Sequence, residues 1–157
     1  MTDPLASGTP LVIAAHGTRD KSGVAECRAL AERIAGKLPG IPVELGFVEL
    51  AEPGIPEAVR AAVAQAPKKP EEADGDEEPA AAVVVPLMFN TGGHVREDIP
   101  EAIDEGRGDA RVVYSAPLLP DVRMRKALSR RLSETLAAGE GREEWRSRDA
   151  AVVLVGR

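Results

Sequence analysis

An α/β fold with an open, mainly parallel four-stranded sheet and helices on both faces is what the sequence predicts, and three features predict it. Short apolar runs rich in β-branched residues alternate with stretches of helical period, the signature of strands joined by crossover helices. Both histidines, His16 and His94, fall just past the end of such a run, beside glycines. The 157-residue length, with 43% apolar residues, suits one well-buried domain better than two.

The first strand is Leu11-Val12-Ile13-Ala14-Ala15, ending at His16-Gly17-Thr18-Arg19-Asp20. From Ser22, the residues Val24, Cys27, Ala31, Ile34 and Leu38 recur at spacings of three and four, which predicts a helix with one apolar face, stopped by Pro39-Gly40. Cys27 on that face reads as inert core packing. Pro42 to Val48 is the second strand, followed by a turn from Glu49 to Gly54. A second helix opens at Ile55-Pro56-Glu57, where proline is tolerated and a glutamate complements the helix dipole. The phrase nearly repeats at Ile99-Pro100-Glu101, which opens or reopens a later helix.

Between these helices, residues 67–79 hold six acids and two lysines without apolar periodicity. This reads as a solvated loop, with an acidic docking tract as the functional alternative. Ala80 to Pro86 is the third strand, passing through Leu87-Met88-Phe89 into a loop over Asn90-Thr91-Gly92-Gly93-His94. Met88 and Phe89 read as core or pocket wall. Arg111 to Ser115 is a fourth strand, and Val122 to Leu136 a helix with Met124, Leu128, Leu132 and Leu136 in line. Residues 139–149 resemble a linker, closing the domain at 1–138. The run over residues 150–157 is either a fifth strand or the first strand of a second copy, since Val152-Val153-Leu154-Val155-Gly156-Arg157 overlays Leu11 to His16 without a gap.

Composition narrows the function. A net charge of −6, most of it in the acidic loop, argues against a nucleic-acid or acidic-membrane binder. One cysteine excludes an internal disulfide framework and a Cys-rich zinc site. No apolar run of about 18 residues is present, and residues 1–10 lack the basic flank and apolar core of a signal peptide, so a cytoplasmic protein is expected. No Gly-x-x-x-x-Gly-Lys loop for nucleotide phosphates is present.

The histidines carry the chemistry. In open α/β sheets, ligands bind beyond the carboxyl ends of the strands, where strand order reverses. A 2-1-3-4 order would make strands one and three neighbours and let the two imidazoles converge. Neutral imidazole can donate a lone pair to a divalent transition metal or accept a proton. Glu49, ending the second strand on the same side, is the carboxylate best placed to join them, or else a turn or capping charge. Gly17, Gly92 and Gly93 either supply turn conformations closed to other residues or let a flat ligand approach the backbone. Helix amino-termini near Thr18 and His94 could attract carboxylates, and Arg19 and Arg96 could pair with an anionic ligand or stay solvated.

Three stretches in order, Leu11 to Asp20, Val43 to Pro53 and Val84 to Pro100, resemble the ATP-independent (class II) sirohydrochlorin cobalt/iron chelatases of the CbiX type. The resemblance runs from Leu11 to about Leu136. It implies a flavodoxin-like chelatase domain in which His16 and His94 bind a divalent metal substrate, Co²⁺, Fe²⁺ or Ni²⁺, with Glu49 assisting. Thr18, Arg19, Gly92, Gly93 and Arg96 would face a tetrapyrrole, sirohydrochlorin or a relative. The active cleft of such enzymes lies between two halves, so a homodimer or a fused second chelatase domain is expected, and this chain resembles the amino-terminal half of a long form. Two rivals stand beside it. One is a non-catalytic metal- or tetrapyrrole-binding module. The other is a histidine phosphatase, whose pattern puts arginine directly before the first histidine, where this chain has Ala15.

Overall fold

The computed structural model describes residues 8–67 and 79–138. The elements are β1 (Leu11–Ala15), α1 (Lys21–Ala35), β2 (Val43–Phe47), α2 (Ile55–Ala64), β3 (Ala82–Pro86), a wide π-type helical turn (His94–Asp98) running into α3 (Ile99–Arg107), β4 (Val112–Tyr114) and α4 (Val122–Ala138). The acidic loop, the linker and the terminal apolar run lie outside the described residues, apart from Pro67 and Pro79. The chain divides into two compact units, one up to Leu118 and one from Leu119 onward.

The first unit is built on a four-stranded, all-parallel sheet in the order β2-β1-β3-β4, as the alternating pattern predicts. Side chains alternate across the sheet because successive strand residues point to opposite faces. Val12 and Ala14 of β1, with Ala82 and Val84 of β3, pack against Ile55, Ala58, Val59 and Ala62 of α2 and Ile99 and Ile103 of α3. Leu11, Ile13 and Val83 face the other way, onto Ala31, with Ile34 and Leu38 packed alongside. Helices therefore cover both faces. Cys27 is only half-buried and lies outside this core. The expectation of core packing fails there because the apolar stripe of α1 turns fully inward only at Ala31, with Val24 and Cys27 half-covered.

Two glycines set how closely the layers approach. A Cβ on Gly46 of β2 would lie 2.8 Å from Ile55 Cα, and one on Gly106 of α3 would lie 2.6 Å from the Pro56 carbonyl oxygen. Backbone-to-backbone packing of α2 against both neighbours depends on these missing side chains.

β1 matches its predicted run and β2, β3 and β4 are shorter than theirs, but the ladder between β1 and β2 continues past the strand ends. Val48 N–H donates to the Ala15 carbonyl at 2.9 Å, and Glu49 N–H to the His16 carbonyl at 3.1 Å. Ile99 continues a helix instead of starting one, and the helix amino-terminus expected near His94 falls at His94. The Ile99 N–H closes back onto the His94 carbonyl. A turn of this width pairs each carbonyl with the N–H five residues on. Pro100 has no N–H, so the Val95 carbonyl loses that partner. The Tyr114 hydroxyl replaces it, donating to the Val95 carbonyl at 3.0 Å. Within the second unit, Asp121 precedes α4, and its carboxylate accepts from the Arg123 N–H at 2.7 Å and from the Arg123 guanidinium.

Candidate metal centre

Three strand ends deliver three donor side chains to one place. His16 follows β1 directly, Glu49 follows its neighbour β2, and His94 opens the turn beyond β3 on the other side of β1. The parallel register, pairing Ala15 with Phe47 and Ala14 with Pro86, brings the chain exits level. The two imidazole centroids are 4.7 Å apart at an interplanar angle of 86°. One donor atom from each of His16, Glu49 and His94 can be chosen so that all lie within 4.8 Å of one another, close enough to hold a metal ion. The two histidine residues, distant in sequence, thus share one site.

Gly17 is the local condition for this convergence. Its φ of +94° lies in a region that disfavours other residues, and a Cβ there would fall 1.7 Å from the Glu49 carbonyl oxygen. The chain leaving His16 can pass against the Glu49 backbone only because that position has no side chain. Leu50, immediately after, takes φ +63° and is half exposed, a strained conformation at the rim of the site.

The immediate surroundings orient the rings. His16 Nδ1 lies 3.2 Å from the Gly17 carbonyl oxygen and 3.9 Å from Glu49 Oε1. His94 Nδ1 bonds the carboxylate of Asp98, one helical turn on. The side chains of His16, Glu49 and Asp98 are about half exposed and that of His94 about one-third, so the centre opens to solvent on one side. Two imidazoles and a carboxylate suit a first-row divalent transition metal better than Mg²⁺ or Ca²⁺, which prefer all-oxygen sites.

The other expected site residues occupy the rim. The Thr18 hydroxyl accepts from the Asp20 N–H at 3.1 Å, and Asp20 in turn caps α1 through the Ser22 N–H at 3.0 Å. Bonds from the Ser22 N–H and hydroxyl hold the Asp20 carboxyl below its ordinary value. Thr18 and Arg19 line a groove of about 530 Å³ with Lys21, Arg28, Leu50 and Glu52. Arg96 projects from the turn between His94 and Asp98 and is exposed. No hydrogen bond draws Arg19 or Arg96 into the histidine pair among the described residues.

Gly92 and Gly93 correct one reading. Neither has a positive φ, and a Cβ on either would meet nothing within 4 Å. The turn reading holds for Gly17 and fails for these two. Phe89 is half exposed and so is not core, whereas Met88 packs against the α2/α3 layer. Asp98 is the site residue that sequence reasoning missed. The His-x-x-x-Asp spacing carries the signal, but only once helical structure is assigned from His94.

Comparison with known proteins agrees with the geometry. The CbiX family model matches residues 10–135. A sirohydrochlorin ferrochelatase of Priestia megaterium is 31% identical over 146 residues, covering 90% of this chain and 47% of that protein. A sirohydrochlorin cobaltochelatase of Sulfolobus acidocaldarius is 31% identical over 127 residues, covering 81% of this chain and 92% of that protein. The chain therefore spans about half the length of the first relative and nearly all of the second. Among solved structures, the sirohydrochlorin chelatase SirB from Bacillus subtilis subspecies spizizenii, in complex with cobalt, superposes with a TM-score of 0.63 at 28% identity, covering 80% of this chain and 50% of that one. A CbiX protein from Marinobacter aquaeolei superposes equally well at 23% identity, a likeness of fold. With the matched segment covering both histidines, Glu49 and every strand of the sheet, the chain belongs to the CbiX family.

Proposed function

We propose that this protein inserts a divalent metal, Co²⁺ or Fe²⁺, with Ni²⁺ as a further candidate, into sirohydrochlorin without nucleotide hydrolysis. The observation that carries this reading is the convergence of His16, Glu49 and His94 on one ion-sized space beyond the sheet. Family membership and the chelatase names of the relatives support the choice of reaction.

The chemistry follows from the donor set. His16 and His94 hold the incoming metal, and the open side of the centre leaves room for a flat macrocycle to receive it. Two pyrrolic N–H protons leave as the metal enters. A neutral imidazole released by the metal, or the Glu49 carboxylate, accepts one of them, and the other passes to solvent water. The open space at Gly92 and Gly93 admits the ring edge to the backbone. Arg19, with Thr18 beside it, and Arg96 meet the macrocycle's carboxylates, for which guanidinium is the strongest partner among side chains. The second wall of the cleft comes from another copy of the chain or from a fused second domain.

The test is to mix the protein with sirohydrochlorin and Co²⁺ and follow the visible spectrum against the spontaneous rate. Acceleration that His16→Ala and His94→Ala each abolish is expected. A protein that binds Co²⁺ or the ring but never exceeds the spontaneous rate would instead be a binding module. No described helix is long and apolar enough to cross a membrane.

A further inference from the structure

We infer that Asp98 is a positioning residue for the metal centre, holding His94 in the tautomer and orientation that point Nε2 at the ion. The inference rests on the reading of His94 as a metal-binding residue. Asp98 Oδ2 is bonded to His94 Nδ1 across one turn. An ionised carboxylate has no proton to give, so the imidazole is the donor and Nδ1 carries the hydrogen. In a neutral ring that leaves the lone pair on Nε2. At His16 the Gly17 carbonyl, which likewise only accepts, stands 3.2 Å from Nδ1 and acts in the same sense. Both rings then offer the same nitrogen, one steered by a backbone carbonyl and the other by a carboxylate. A carboxylate behind a ligating imidazole also raises its basicity toward the metal.

Asp98 lies inside the continuous helical segment that begins at His94, so capping does not account for its carboxylate. Asp98 has helical φ and ψ of −65° and −41°, and its side chain makes no capping hydrogen bond. The carboxylate is turned back along the helical segment toward His94, whose Nδ1 it bonds. The wide turn that brings the two residues together lies next to Pro100 and is closed by Tyr114, so the arrangement is built by packing outside the site. Such wide turns recur at functional sites because they reposition one side chain without breaking the helix.

The experiment uses the whole 157-residue chain with Asp98→Ala, Asp98→Asn and His94→Ala. Long-range proton–nitrogen spectra of the metal-free protein near pH 8 read the His94 tautomer, and titration with Co²⁺ followed in the visible reads affinity. The parent should show the Nδ1–H form. Asp98→Ala should mix the tautomers and weaken Co²⁺ binding by roughly ten- to a hundredfold, the usual effect of losing such a partner, while the His16 signals stay put. Asp98→Asn, whose amide oxygen can still accept from Nδ1–H, should keep the tautomer and recover part of the affinity.

An Nε2–H tautomer in the parent, or parental affinity in Asp98→Ala, overturns the role. If the alanine variant does not fold, Asp98→Asn decides, and undiminished Co²⁺ binding there overturns it equally. His94→Ala separates the two readings. Retention of Co²⁺ binding in that variant sinks both. Loss of binding there, with Asp98→Ala unaffected, sinks the role of Asp98 alone.

Discussion

The Tyr114 hydroxyl on β4 completes the helical turn that carries His94, by donating to the Val95 carbonyl that Pro100 leaves without a partner. Tyr114 sits in partly apolar surroundings, and burial pushes its phenol above the usual value, so it stays protonated and available as a donor. Tyr114→Phe keeps the ring and removes only that donor. Urea unfolding should show a loss of about 1 kcal/mol, the net worth of one such bond, together with weaker Co²⁺ binding through a loosened His94. Unchanged stability and affinity would mean that water serves the carbonyl as well.

Gly17→Ala tests the convergence of β1 and β2. The added Cβ meets the Glu49 carbonyl and the backbone is held at positive φ, so both must shift. Strain at positive φ alone costs about 1–3 kcal/mol, and the displacement separates His16 from Glu49. A lower thermal midpoint with loss of Co²⁺ binding is expected, and a variant matching the parent in both contradicts the geometry.

Gly92→Ala and Gly93→Ala should do the reverse. Nothing in the fold obstructs a methyl group at either position, and alanine at Gly93, which has helical φ and ψ, favours the helical start by about 0.5–1 kcal/mol. Stability should hold or rise and Co²⁺ affinity should stay as it was. Accelerated metal insertion into sirohydrochlorin should fall, because the methyl occupies the space assigned to the ring. Full activity in both variants would remove these glycines from the binding surface.

Glu49→Gln keeps the side chain's shape and removes its charge. Its backbone N–H still donates to the His16 carbonyl, so the fold should be unaffected. Co²⁺ affinity should fall by about tenfold or more, equivalent to at least about 1.4 kcal/mol, and any insertion rate limited by proton removal should fall further. Parental binding by calorimetry would leave the metal to the histidines alone.

Acid should loosen the start of α4. Hydrogen bonds from the Arg123 guanidinium, and then from its N–H, lower the Asp121 carboxyl from an ordinary 3.8 to about 2. A carboxyl with a depressed folded value contributes its stabilisation fully above the unfolded value, and that contribution is lost as pH falls from about 4 through about 2. Helical circular dichroism should therefore decline over that window more in the parent than in Asp121→Asn. Identical acid profiles would show that the Asp121 pairing adds nothing to the helix.

Local pattern determined much of this protein without help from the fold. The run Leu11 to Ala15 is apolar at every position because both faces of a central parallel strand are buried, and a period of two against 3.6 separates such strands from the helices between them. The placement of His16 and Glu49 at strand ends follows from the same pattern, since each stands where an apolar run stops, and His94 follows the third run after a short glycine loop. Family resemblance, carried by the motifs around them, was legible for the same reason.

Tertiary structure decided what no window of sequence contains. Whether two imidazoles from distant segments meet depends on β1 and β3 being neighbours, a matter of strand order and register. The partner of His94 was hidden because the turn holding Asp98 owes one of its hydrogen bonds to Tyr114, a residue from another strand. The glycines divide in the same way. Gly17 is required by a carbonyl that belongs to the next strand, while the space around Gly92 and Gly93 is open. Composition sets the period of an element, but what stands opposite a residue is fixed by contacts between segments far apart in the chain.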